Sequence, residues 1–276
     1  MIPFTKMHGI GNDFVIIDGI RQDLSGLDLS QLSKKVNDRR AGIGGDGLIV
    51  AEVGTQAPFR MRMFNPDGSE SEMCGNGVRC LALYLRDEGH STSDAVPLET
   101  GAGVLSLEIH DQDRVKVDMG PARLLRGEVG MTGVSDETFI DQPIELEGQR
   151  LVGTAVSMGN PHLVLFVEDA ASVPLERWGP ELEVHPLFPR RTNVHFVQVL
   201  SRSHLMQRTW ERGAGATLAC GTGACACGVA AQVTGRADRQ VQIDLPGGTL
   251  AIEYREDGRV FMTGPAATVF KGEWTN

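Results

Sequence analysis

Two four-residue segments carry the most direct chemical signal in the chain: Cys74-Gly75-Asn76-Gly77 and Cys220-Gly221-Thr222-Gly223. Each is expected where a strand ends and a helix begins, with its cysteine at or just before the first turn. A helix N-terminus carries about half a positive charge and N–H groups without partners, so it favours an anion in front of it. A thiol placed there is expected to ionise below its ordinary value of about 8.5. The glycines admit close backbone approach, so the same N–H groups suit a substrate carboxylate. Inverting a carbon that bears a hydrogen needs a base on one face and an acid on the other. One thiolate and one thiol meet that need, and two helix dipoles aimed at one carboxylate would stabilise the charge that develops as the proton leaves. Taken singly, each cysteine reads as a packing residue at a helix start; their matched placement favours chemistry.

The match belongs to a longer internal repeat. The two Cys-Gly-x-Gly segments lie 146 residues apart. Gly11-Asn12 followed by Phe14–Ile17 recurs 148 residues on as Gly159-Asn160 followed by Leu163–Phe166. Gly103–Glu108 resembles Gly248–Glu253 at a spacing of 145, and Met119–Ala122 resembles Thr263–Ala266 at 144. Four segments in one order at nearly one spacing imply a unit of about half the chain written twice.

Apolar runs at Phe14–Ile17, Leu48–Ala51, Arg60–Phe64, Val104–Ile109 and Val115–Val117 predict strands in the first half. Leu163–Val167, Val194–Leu200, Leu205–Trp210, Val241–Leu245, Thr249–Tyr254 and Val260–Met262 predict them in the second. Helices are predicted over 75–88, 221–233, 30–37 and 174–179. Many strands and few helices indicate an α+β fold of two pseudo-symmetric lobes, each a curled, mainly antiparallel sheet around a central helix. The expected division is an N-terminal lobe over 1–120 carrying Cys74, a Gly- and Pro-punctuated connecting segment over 121–150, and a C-terminal lobe over 151–276 carrying Cys220. A terminal strand returning to the first lobe would blur it, and the cleft between the lobes is the default ligand site.

Composition excludes several classes. The 276 residues hold 26 Lys and Arg against 36 Asp and Glu, a net charge of −10. Partners that are nucleic acids or anionic membranes call for the opposite balance. Residues 1–8 lack a basic leader and apolar core, so a cytoplasmic location is expected. Residues 214–235 are free of charge but built mostly of Gly, Ala, Cys and Thr, which suits close packing better than a membrane span. Five cysteines, an odd number without C-x-x-C spacing, predict neither a disulfide framework nor structural zinc. Cys80, Cys225 and Cys227 read as small buried hydrophobes.

Longer motifs carry a resemblance. Lys6–Phe14, Phe64–Glu70, Cys74–Cys80, Ser157–His162 and Glu211–Gly215 leading into Cys220–Ala224 resemble the diaminopimelate epimerase family over essentially the full length. The resemblance implies epimerisation of LL-2,6-diaminopimelate to the meso form, on the bacterial route to lysine and peptidoglycan precursors, with no cofactor and no metal. It implies that Cys74 and Cys220 are the proton-transfer thiols, with His162 and Glu211 beside them. Asn12, Asn65, Asn160, Asn193, Glu211 and Arg212 would bind the substrate's ammonium and carboxylate groups. The N–H groups of Gly75, Asn76, Gly221 and Thr222 would hold the carboxylate at the reacting carbon. The chain departs from the family pattern at Gly45-Asp46-Gly47, where a glutamine is common, and at Ala216, where glutamate is common. A homodimer is compatible with the sequence and not decided by it.

Plainer roles compete at each position. Asn12, Asn65 and Asn160 suit turns, His162 suits a satisfied surface site, and Arg212 suits a rim salt bridge with Glu211. His8, His185 and His195 read as structural. Two other functions fit the same architecture: a proline or hydroxyproline racemase, and a two-lobe amino-acid-binding protein without chemistry.

Overall fold

A computed structural model describes residues 1–110 and 113–275. The chain forms two compact units: Met1–Asp118 with Thr263–Asn276, and Met119–Met262. The first contains β1 (Ile2–Gly9), β2 (Asn12–Asp18), α1 (Leu29–Val36), β3 (Gly47–Val53), β4 (Phe59–Phe64), β5 (Glu70–Ser71), α2 (Gly75–Asp87), β6 (Ala95–Thr100) and β7 (Gly103–His110). Strand β8 (Arg114–Pro121) carries the chain out of it. The second contains α3 (Arg126–Val129), β9 (Gln142–Leu146), β10 (Gln149–Ser157), β11 (Pro161–Phe166), α4 (Leu175–Glu183), β12 (Asn193–Ser201), β13 (His204–Glu211), β14 (Gly215–Thr217), α5 (Gly221–Val233), β15 (Gln240–Leu245) and β16 (Gly248–Tyr254). Strand β17 (Arg259–Pro265) leads back, and β18 (Ala267–Trp274) pairs antiparallel with β1 in the first unit.

The repeat is visible in the pairing. In the first unit β1–β2 is antiparallel, β2–β3 parallel, β3–β4 antiparallel, β4–β6 parallel and β6–β7 antiparallel. The second unit has β10–β11 antiparallel, β11–β12 parallel, β12–β13 antiparallel, β13–β15 parallel and β15–β16 antiparallel. Registers match as well: Ile16 faces Ile49 and Ile49 faces Met63, as Val164 faces His195 and His195 faces Thr209.

Each sheet is covered on both faces, which is why β2, β3, β11 and β12 are near-continuous apolar runs rather than alternating ones. On the outer side, Val15, Ile17, Leu48 and Val50 pack with Leu32 and Val36 of α1. Leu163, Leu165, Val194 and Phe196 likewise pack with Leu175 and Leu182 of α4. On the inner side α2 packs against β1, β2, β3, β4, β7 and β18, and α5 against β10, β11, β12, β13, β15 and β16. Burial of α2 is continuous from Gly75 to Leu85.

The small residues of α5 have a packing reason. A Cβ at Gly228 would lie 2.9 Å from the Ile252 side chain, and one at Gly223 would lie 2.3 Å from His195 Cε1. The charge-free segment thus holds strand β14 and the short internal helix α5, and no helix among the described residues is long and apolar enough to cross a membrane. The segment read from sequence as a connector holds α3, β9 and the start of β10, whose tight turn uses Glu147 and Gly148 with φ of +50° and +77°. Of its glycines, Gly127 lies within α3, Gly130 caps that helix and Gly148 turns β9 into β10.

Candidate active site

Cys74 is the N-cap of α2 and Cys220 the N-cap of α5, both in extended backbone conformation and neither capped by a side chain. The first helical bond runs from Val78 N–H to the Cys74 carbonyl in one and from Ala224 N–H to the Cys220 carbonyl in the other, each at 2.9 Å. The N–H groups of Gly75, Asn76 and Gly77, and of Gly221, Thr222 and Gly223, precede those bonds. Glycine at 77 and 223 lets the sheet approach the first turn: a Cβ at 77 would lie 3.0 Å from Ile49 Cδ1.

In the first unit a directed chain of hydrogen bonds runs across the start of α2. The buried Arg79 donates to Asn76 Oδ1 at 2.9 Å, Asn76 Nδ2 donates to Asn12 Oδ1 at 3.0 Å, and Asn12 Nδ2 donates to Asp46 Oδ2 at 2.7 Å. Arg39 closes it with a 2.8 Å ion pair to Asp46. A cation at each end and a carboxylate near one of them fix the direction, so Asn12 turns its carbonyl oxygen toward Cys74 Sγ, 3.8 Å away. Asp13 beside it is ion-paired to Lys6 and Arg39 at 2.6 Å each. Burial would raise the Asp13 carboxyl, but those cations outweigh it and hold the group at about 2.

The second unit arranges the same helix start differently. His162, fully buried, approaches Asn160 Oδ1 through Nε2 at 2.9 Å and His195 through Nδ1 at 2.9 Å. Asn160 Nδ2 donates to Thr222 Oγ1 at 3.5 Å, and that hydroxyl lies 3.8 Å from Cys220 Sγ. Glu211 accepts from Thr217 Oγ1 at 2.5 Å. Burial drives His162 well below its ordinary value, with His195 and Arg212 adding to the effect, so the ring is neutral.

Cys220 corrects the sequence expectation. Burial raises its thiol well above the ordinary value, Glu211 raises it further, and the Gly223 N–H and Thr222 hydroxyl oppose this without reversing it. The helix start therefore does not win at Cys220: desolvation and a neighbouring carboxylate keep it a thiol. Cys80 is pushed to about 12 and Cys227 well up by burial, as suits inert core thiols. None of the five cysteines is joined in a disulfide.

Not every sequence candidate gathers at a thiol. Asn12 and Asn76 meet at Cys74; Thr222 and Glu211 meet at Cys220, and Asn160 and His162 connect to it through the Thr222 hydroxyl. Asn65 serves its own turn, donating to Ser69 Oγ at 3.0 Å while its carbonyl accepts from Gly68 N–H at 2.9 Å. The Asn193 amide joins β11 to the end of β13, donating to the Pro161 carbonyl at 2.9 Å and accepting from Arg212 N–H at 3.0 Å. The Arg212 side chain is exposed and donates to the Arg190 carbonyl at 3.3 Å. Asp46, Arg79, Thr209 and Gln207 were not singled out by sequence, and His195, read as structural, contacts His162 directly. Their signal was the repeat itself, since His195, Thr209 and Gln207 stand where the first half has Ile49, Met63 and Met61. No group of three His, Cys, Asp or Glu among the described residues is placed to hold a metal ion.

The sequence profile of the diaminopimelate epimerase family matches residues 4–125 and 154–269. The chain is a member of that family. It is 53% identical over 277 residues to diaminopimelate epimerase 1 of a Nostoc species, covering 99% of each chain. It is 50% identical to diaminopimelate epimerase of Moorella thermoacetica over 98% of each. Among solved structures, a PhzF-family phenazine biosynthesis protein of Bacillus anthracis superposes with a TM-score of 0.71 at 18% identity, covering 100% of this chain and 99% of that one. A hydroxyproline epimerase of Agrobacterium vitis superposes at 0.66 and 15% identity, covering 98% and 91%. The fold is therefore shared with proteins of other named activities, and it is the diaminopimelate epimerase profile, not the architecture, that separates this chain from them.

Proposed function

We propose that the protein interconverts LL- and meso-2,6-diaminopimelate by a two-base mechanism in which Cys74 and Cys220 exchange one proton each with the α-carbon. The observation that carries this is the matched pair of cysteines capping the two central helices of a chain that belongs to the diaminopimelate epimerase family. A thiolate removes the α-proton while a thiol delivers another to the opposite face, so one turnover exchanges the two protonation states. The N–H groups of Gly75, Asn76, Gly221 and Thr222 hold the carboxylate and stabilise the charge that develops on it. His162 and Glu211 tune the transfers. Glu211 takes the Cys220 proton when that thiol must act as base, which its raised proton affinity requires. Asn12, Asn65, Asn160, Asn193 and Arg212 recognise the two amino-acid heads.

No organic cofactor or metal enters this scheme. The reaction belongs to the cytoplasm, acts on a small molecule, and is carried out by a homodimer; sedimentation at micromolar concentration checks the last point. The decisive experiment is turnover of diaminopimelate beside proline in deuterated water. Deuterium should enter the α-carbon of diaminopimelate without added cofactor, and Cys74→Ala and Cys220→Ala should each lower kcat by about a thousandfold or more while the fold survives. Full activity in both variants, or turnover of proline alone, overturns the proposal.

A further inference from the structure

We propose that His195, held by Thr209 and Gln207, is a positioning residue that fixes the tautomer of His162 and thereby the end of the Asn160 amide that faces the start of α5. The direction of the chain follows from donor chemistry. An amide nitrogen can only donate, and Gln207 Nε2 lies 2.8 Å from Thr209 Oγ1 and 3.3 Å from His195 Nδ1. The Thr209 hydroxyl, 3.0 Å from the same ring nitrogen, donates to it as well. With Nδ1 accepting, the His195 proton sits on Nε2 and is donated to His162 Nδ1 at 2.9 Å. His162, neutral, then carries its own proton on Nε2 and donates it to Asn160 Oδ1 at 2.9 Å. An asparagine whose oxygen is engaged turns its nitrogen outward, and Asn160 Nδ2 faces Thr222 Oγ1.

The first unit shows that this polar layer is not needed to fill the space. At the repeat-related positions it has Phe14, Ile49, Met63 and Met61, all buried, where the second has His162, His195, Thr209 and Gln207, buried to the same degree. Two imidazoles, a hydroxyl and an amide in a core are unfavourable unless hydrogen-bonded, and Gln207 Oε1 is buried without a partner. An arrangement that an apolar set would pack as well, and with less penalty, calls for a role beyond packing.

The consequence is opposite polarity in two repeat-related asparagines. Asp46 draws the nitrogen of Asn12 to itself and leaves the oxygen toward Cys74, a face suited to a donor. His162 draws the oxygen of Asn160 and leaves the nitrogen toward Thr222, a face suited to a carboxylate. This last step rests on the epimerase reading; the tautomer does not.

Nitrogen NMR of histidine-labelled protein tests both parts. Wild-type His162 and His195 should each show protonated Nε2 and bare Nδ1. His195→Leu should leave His162 as a mixture of tautomers and raise KM for diaminopimelate about fivefold to tenfold, the scale of one lost hydrogen bond, with a smaller change in kcat. His195→Gln, which returns a donor near the Nε2 position, should restore KM to within about twofold of wild type. Protonated Nδ1 on wild-type His162 overturns the proposal, as does a leucine variant with unchanged tautomer and KM. The wild-type spectrum decides the tautomer whether or not the leucine variant folds. Absence of diaminopimelate turnover would sink the epimerase reading and leave the spectrum standing.

Discussion

At Cys220 two environments oppose each other. The helix start offers N–H groups to a thiolate, yet burial and the Glu211 charge keep the proton on sulfur. Glu211 can be changed without opening the site, since glutamine has its size and can still accept from Thr217 Oγ1. Glu211→Gln keeps the size and the hydrogen-bond acceptor but removes the like charge, so the Cys220 thiol should become more acidic. Because burial is the larger cause, the shift should be partial. The pH dependence of thiolate absorbance, or of alkylation in a Cys74→Ala background, should show the midpoint moving down. A midpoint that rises or stays would mean that Glu211 does not act on this thiol. Turnover should fall in the same variant, by about a hundredfold on the scale of a lost acid/base group, because the proton from Cys220 then has no acceptor.

Among elements, the two central helices repeat in sequence and differ in what they lie against. A Cβ at Gly77 would meet the Ile49 terminal methyl at 3.0 Å, a flexible chain end, with the Cys74 Cβ and Phe14 Cζ at ordinary contact distances of 3.5 and 3.7 Å. One at Gly223 would meet His195 Cε1 at 2.3 Å and Cys220 Sγ at 3.0 Å, a rigid ring tied at both nitrogens and the reactive sulfur itself. Gly77→Ala should therefore be nearly neutral in thermal stability, the better helix propensity of alanine offsetting a small shift. Gly223→Ala should cost about 2–3 kcal/mol by overpacking. Equal melting temperatures for the two would contradict the difference. The two central helices and the matched places of Cys74 and Cys220 at their starts were legible in sequence because period, capping glycines and an internal repeat are local signals, whereas α3 falls in the segment read as a connector. Strand β1 was not, because Pro3, Lys6 and His8 interrupt its apolar pattern. Strand β18 was not, because its residues are mostly exposed and give little sign of a buried face. The His162–His195–Thr209–Gln207 layer was not, because it exists only once β11, β12 and β13 are in register.

For the molecule as a whole, the two units carry different acid liabilities, and each has its own core. Burial depresses the His195 imidazole to about 3 and His162 well below its ordinary value, so both are neutral when folded and protonated when unfolded at mildly acid pH. The unfolded state then binds more protons, and stability falls as pH drops below about 6.5, by about 1.4 kcal/mol per pH unit for each histidine until the folded value is reached. Asp13 in the first unit behaves oppositely in position. Its folded carboxyl at about 2 lies below its unfolded value, so its contribution is complete above about 4 and is lost only as pH falls toward 2. Acid should therefore loosen the second unit first. Amide hydrogen exchange at pH 5 should report weaker protection in β11, β12 and β13 relative to pH 7, while β1, β2 and β3 change little. His195→Leu removes one of the two fully buried histidines and leaves His185, whose imidazole burial also lowers, so it should cut the slope of stability against pH between 6.5 and 5 by about a third to a half. A uniform loss across both units, or an unchanged slope in that variant, would show that the buried imidazoles do not set the acid limit.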